Sequence, residues 1–207
     1  MFKNTLFISG VFIFALAILL ISIFNSSAIK YPVSQAPGQL ITGSEIPKID
    51  YMLPYTGNIL PDSPFWKLKA LRDRVWFEVT ASHLRKAELA LLFSDKRLAM
   101  TQSLVDKGEF EIAMSTFTKG EKYLLIAVKE EKLAREQNIN TDNFLIKLAT
   151  SALKHKEIAE DLMRLVPEDA KPLMVKTDIC ADEAYEAAKN ALILRGNPFP
   201  INPFNGE

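Results

Sequence analysis

Residues 108–134 read GEFEIAMSTFTKGEKYLLIAVKEEKLA. Phe110, Phe117 and Leu124 recur every seven residues, and Ala113, Gly120, Ala127 and Ala134 recur every seven on the adjacent line. A helix advances about 3.6 residues per turn, so both rows share one face. Bulky positions alternating with small ones make a seam that a second helix can approach closely. Gly120 costs a helix about 1 kcal/mol relative to alanine, and close packing is the natural offset.

The pattern extends in both directions. Upstream, Leu84, Leu91, Leu98 and Val105 repeat at seven, Ser82 is a possible cap, and Gly108 ends the run. Before them, Asp62-Ser63-Pro64 predicts a helix start, and Phe65, Leu68, Leu71, Val75 and Val79 share one face of that helix. Downstream, Asn140-Thr141-Asp142 predicts another cap. Leu145, Leu148, Ala152, His155, Ala159, Leu162 and Val166 then alternate by three and four, which puts His155 on an apolar seam that Pro167 terminates. A last, alanine-rich helix starts near Glu168-Asp169, accommodates Pro172 in its first turn and closes at Arg195-Gly196. The tail, 197–207, carries Pro198, Pro200 and Pro203 and cannot be helical; Phe199, Ile201 and Phe204 either pack back on the body or form a short docking peptide. The expected fold is all-α, an antiparallel bundle of four or five helices over 63–196, with no competing strand signal.

The N-terminus is different in kind. Thr5 to Phe24, TLFISGVFIFALAILLISIF, is twenty residues without a charge, enough to span roughly 30 Å of hydrocarbon. Lys3 precedes it and no acid follows until Glu45, a polarity that suits an N-in, C-out insertion. Residues 1–28 are therefore expected to be a transmembrane anchor or signal segment. The first reading is a retained anchor, single-pass, with the C-terminal domain outside the cytoplasm. The alternative is secretion after cleavage near Ala28, where Ser26-Ser27-Ala28 offers small residues. No cysteine directly follows the apolar run, so lipid attachment there is not expected.

Residues 29–62 hold five of the 11 prolines, and the part to about Lys48 reads as an extended tether. DYMLPYTGNILPDSP, from Asp50, is too apolar for a solvated linker. It is expected to lie against the helices or to dock a partner, with Tyr51, Leu53, Tyr55, Phe65 and Trp66 as candidate partner-binding residues.

Little chemistry is on offer. Lysine plus arginine number 25 and aspartate plus glutamate 25, so the 207-residue chain has no cationic surplus for nucleic acid. One cysteine and two histidines leave no disulfide, no multi-cysteine zinc site and no histidine pair at ligand spacing. GxGxxG, GxxxxGK[ST], HExxH and GxSxG are all missing. No catalytic residue, cofactor or metal is expected, and the chain does not read as an enzyme. Cys180 reads as a small packed residue. The charge runs 129–136 and 154–161 read as solvated helix faces. His155 is most simply a core residue; its functional reading is a candidate sensor within a ligand site.

Two resemblances bear on this. Leu60, Pro61, Asp62, Ser63, Pro64, Phe65, Trp66, Leu68 and Lys69, followed by Lys86, Ala87, Glu88, Leu89, Asp95, Lys96, Arg97 and Leu98, resemble a family of bacterial envelope-associated helical domains known only as a domain of unknown function. The resemblance covers about 53–135, leaves out the last two helices, and implies an exported helical module with no assigned activity. GEFEIAMSTFTKG, 108–120, is similar to the second helix of a tetratricopeptide unit, with Gly108, Phe110, Ala113 and Phe117 in register, but no second copy follows at 34 residues. The expected role is a membrane-tethered interaction or scaffold module of the bacterial envelope with a protein partner. The alternatives are a ligand-sensing regulatory ectodomain and a tetratricopeptide-like peptide-binding hairpin.

Overall fold

The computed structural model describes residues 46–204. The anchor or signal segment and the first part of the tether lie outside the described residues. Five helices follow one another: α1 (Trp66–Val79), α2 (His83–Asp106), α3 (Phe110–Glu136), α4 (Asp142–Met163) and α5 (Lys171–Ile193). There is no strand among the described residues. Long helices joined by a few residues must double back, so α2–α3 and α4–α5 form two hairpins. They stack into one bundle in which α3 also packs on α5, while α1 lies lightly on α2 and reaches α3 through Phe77 and Tyr123.

The turns follow from local chemistry. Ser82 Oγ accepts from the Arg85 amide at 3.4 Å and caps α2. Gly108 (φ +76°) ends it, with the Glu109 amide donating to the Leu104 carbonyl at 2.9 Å. Asn138 (φ +61°) closes α3 in the same way. Before α4, Asn140 Oδ1 accepts from the Asp142 amide, whereas the Thr141 hydroxyl goes to Glu131. The first helix starts at Trp66, later than Asp62-Ser63-Pro64 predicts. The Asp62 carboxylate is held by Lys107 at 2.7 Å, and Ser63 Oγ serves a preceding turn, so neither caps the helix.

The α3 seam is buried as its spacing predicts. Phe110, Phe117, Leu124, Ala113, Ala127 and Ala134 are all buried. At Gly120 an added Cβ would lie 3.2 Å from Arg97 Cβ, which shows how closely α2 approaches. Helices of 24 and 27 residues make this hairpin longer than the ~34-residue tetratricopeptide unit.

Three expectations are corrected. The charge runs are not wholly solvated: Glu131 and Glu157 turn inward. Glu131 accepts from the Thr141 hydroxyl at 2.6 Å and from Arg135 at 3.1 Å. Glu157 accepts from the Ile49 amide at 2.7 Å and from Lys154 at 2.9 Å. Buried charge is tolerated there because each carboxylate accepts from two groups, one of them a cation. Second, the tether reading ends early. Ile46 is buried, Lys48 pairs with Asp161, and Ile49 and Leu53 pack on the bundle, so 46–53 is a strap on the body. Third, the α1 face carrying Phe65, Leu68, Val75 and Val79 points outward, and Asp73 is the buried residue of that helix. At the other end, the Tyr185 hydroxyl donates to the Pro200 carbonyl and Phe204 packs on the core, so the tail folds back, leaving Ile201 exposed.

Candidate functional site

Two places concentrate unusual chemistry: the outer face of α1, and a polar layer inside the bundle.

The docked side of α1 sets its outward side. Phe77 meets Tyr123 edge-on at 6.4 Å and Trp76 meets Phe93 at 6.3 Å. With about 100° per residue, Phe65, Leu68, Lys69, Arg72, Val75 and Val79 then share the arc facing away from Phe77, with Trp76 at its edge against Phe93. Phe65 is 66% exposed, Leu68 67%, Val75 52% and Trp76 49%. Over this face folds the 55–59 segment. It turns at Gly57, whose φ of +79° glycine adopts without strain. Lys69 Nζ donates to the carbonyls of Thr56 (2.8 Å) and Ile59 (3.0 Å) and holds the segment in place. Between segment and helix lies a groove of about 840 Å³, lined by Tyr55, Ile59, Phe65, Leu68, Leu71 and Val75 together with Lys69, Arg72 and Lys96. No acidic side chain lines it. Burial holds the Lys69 ammonium below its ordinary range.

The five candidate partner-binding residues therefore do not form one surface. Tyr55 and Phe65 line the groove. Trp66 is half-buried, with Lys69 5.3 Å above its ring. Tyr51 and Leu53 belong to the strap: the Tyr51 hydroxyl donates to Asp95 at 2.6 Å, and Leu53 packs on the core. Sequence reasoning missed Lys69, Arg72 and Lys96 as groove residues. The signal was there in part, because Lys69 and Arg72 interleave with the α1 apolar row.

The polar layer centres on His155, which is completely buried. Its Nδ1–H donates to Glu121 at 2.5 Å and its Nε2–H to Asp95 at 3.2 Å. Asp95 also accepts from Ser151 at 2.6 Å and from Tyr51. Burial alone would lower the imidazole pKa, but the Glu121 charge and the hydrogen bonds that the ring donates to both carboxylates outweigh it and push it up to about 10. The ring is thus a cation at neutral pH, clamped between α2 and α3. It lies outside the groove lining. Both nitrogens are occupied by protein, so the geometry gives His155 a role in holding three helices together. Among the described residues no cluster of histidine, cysteine and acids has the form of a metal site.

Beside this layer, Glu121 Oε2 and Asp178 Oδ1 are buried without a hydrogen-bond partner. Burial, reinforced by Asp182, Glu121 and Glu160 against the opposing Lys156, pushes the Asp178 carboxyl up to about 7. A carboxyl whose pKa rises on folding stabilises the protein while it can be protonated. Here that contribution is full below the ordinary value of 3.8 and is lost as pH rises through about 7. Asp178→Asn should therefore raise stability at pH 8 by about 1–2 kcal/mol and change it little at pH 4, as read from urea midpoints. The nearby Cys180 thiol is pushed up to about 11, chiefly by burial, and is not poised as a nucleophile.

An all-helical bundle with one uncovered helix face is the class of protein that these features define. The chain belongs to the family described as Domain of unknown function (DUF5667), which matches residues 58–169. The match runs from the 55–59 segment through α4, so it takes in one helix more than the 53–135 resemblance does, and it stops before α5. No curated protein and no solved structure matches the chain.

Proposed function

We propose that the protein is a membrane-tethered, extracytoplasmic helical module of the bacterial envelope that works by contact, as an interaction or scaffold element. One observation carries this reading. The bundle covers its own core and yet leaves the α1 row of Phe65, Leu68, Val75 and Trp76 uncovered beside a groove. Contiguous exposed apolar surface of this kind marks contact sites. The uncharged run Thr5–Phe24 supports the tether, since it has the length and composition of a membrane span. No helix among the described residues is long and apolar enough to cross a membrane, so any span falls to that run.

Protease added to intact spheroplasts tests the location. The bundle should be digested only from outside, and the chain should stay in the membrane fraction after alkaline carbonate washing. Protection until the cells are lysed, or recovery in the soluble fraction, would overturn the reading. Tyr55→Ala with Phe65→Ala should leave helicity unchanged by circular dichroism, because neither side chain belongs to the core.

A further inference from the structure

We propose that the outer face of α1 and the groove beside it lie on the anionic phospholipid surface of the bilayer that holds the chain, with α1 parallel to the membrane plane. The inference rests on the tethered reading above and names what the exposed surface touches.

Three observations point the same way. First, composition: Phe65, Leu68, Val75, Trp76 and Val79 share one arc of α1 with Lys69 and Arg72, and no acid falls on that arc. A helix that lies at a bilayer interface has this make-up, with aromatic and aliphatic side chains entering the headgroup boundary and cations meeting phosphate. Second, charge: the groove is lined by Lys69, Arg72 and Lys96 and by no carboxylate, although the chain as a whole is neutral. Arg72 is paired with Asp73 at 2.6 Å beside the groove, so the local surplus of positive charge comes from Lys69 and Lys96, and that surplus matches an anionic surface. An apolar floor beside cations suits the junction of acyl chain and phosphate better than a purely apolar peptide. Third, reach: only residues 25–45 separate the uncharged run from the described strap, and they cannot extend beyond about 70 Å. A face tethered that near the membrane meets it at high effective concentration, so modest affinity suffices. Met52, Tyr55 and Ile59, all exposed on the adjoining segment, extend the apolar area.

The chain carries its own reporter. Its two tryptophans, Trp66 and Trp76, both lie on α1. The full-length protein is reconstituted into vesicles of phosphatidylethanolamine and phosphatidylglycerol, or of phosphatidylcholine alone, each with and without lipids brominated on the acyl chain. Flotation after a carbonate wash reports the anchor, and tryptophan emission reports α1. The expected result is flotation in both lipids. In anionic vesicles alone, the emission should shift to the blue and fall about twofold with brominated lipid. Arg72→Gln with Lys96→Gln should reduce the quenching, and Leu68→Ser with Val75→Ser should abolish it, with helicity unchanged. Flotation without quenching overturns the α1 proposal and leaves the anchor standing. Equal quenching in phosphatidylcholine overturns the anionic preference. A blue shift that follows protein concentration rather than lipid overturns it in favour of a second copy on this face. A chain that does not float removes the anchor, and the proposal with it.

Discussion

Asp95→Ala is expected to lower stability by about 3–5 kcal/mol, the range for removing one member of a buried charged cluster. Asp95 accepts from His155 and Ser151 of α4 and from Tyr51 of the strap. Its loss leaves the His155 cation facing Glu121 alone and two hydroxyls without their acceptor. For a body of this size the thermal midpoint should fall by roughly 10 °C or more. The same cluster fixes a pH dependence. The His155 pKa rises from 6.5 to about 10 on folding, so its contribution is complete below 6.5 and is lost as pH climbs through about 10. Urea midpoints of the native chain should therefore decline from pH 7 to pH 10. His155→Leu, which has no proton to lose, should be less stable at pH 7 and show a flatter decline. Parallel declines in the two proteins would remove His155 as the source.

Gly120→Leu should cost about 3 kcal/mol or more, whereas Gly120→Ala should stay within about 1 kcal/mol of the native chain. The alanine Cβ would sit 3.2 Å from Arg97 Cβ and 3.5 Å from the Ser94 carbonyl, so α2 must yield by a few tenths of an ångström. Relief of the glycine helix penalty, about 1 kcal/mol, offsets that movement. A leucine cannot be absorbed in this way. Arg97 is buried, stacked 4.4 Å from the Tyr123 ring and hydrogen-bonded to the Phe93 carbonyl, so it has nowhere to move. Ser94 Oγ also donates to the Gly120 carbonyl at 2.8 Å, a bond that separating the helices would break. Overpacking of this kind typically costs 1–3 kcal/mol before the lost hydrogen bond is counted. Thermal melts of the two variants side by side separate the contributions.

Much of the fold was legible because heptad spacing is a property of sequence alone. The rows on α2, α3 and α4 are buried as their periods predict, except that Leu84 at the start of α2 is half-buried, and Gly108 and Gly196 close their helices at positive φ. What periodicity does not state is which way a face turns. The row from Phe65 to Val79 has the same spacing as the core rows, yet α1 docks through Asp73 and Phe77 and turns that row outward. A short helix docked through one side has no partner for its other side. Charge runs mislead for a related reason: Glu131 and Glu157 are buried only because Thr141 and the Ile49 amide reach them from other segments. Spacing puts His155 on a seam, but its partners Asp95 and Glu121 are 60 and 34 residues away. The cationic groove depends likewise on a fold-back of 55–59 that no local pattern specifies.

The His155 layer divides the interior. One apolar cluster, containing Leu91, Leu124 and Ala152, lies on one side of it, and another, containing Leu98, Phe117 and Ile158, lies on the other. Helices that met only through leucine and alanine could slide along one another by a heptad and find nearly equivalent contacts. A slip here would separate Asp95, Glu121 and His155 and bury each without its complement, at several kcal/mol. The charged layer thereby acts as a vernier mark, removing the translational degeneracy that a uniformly greasy interior would leave.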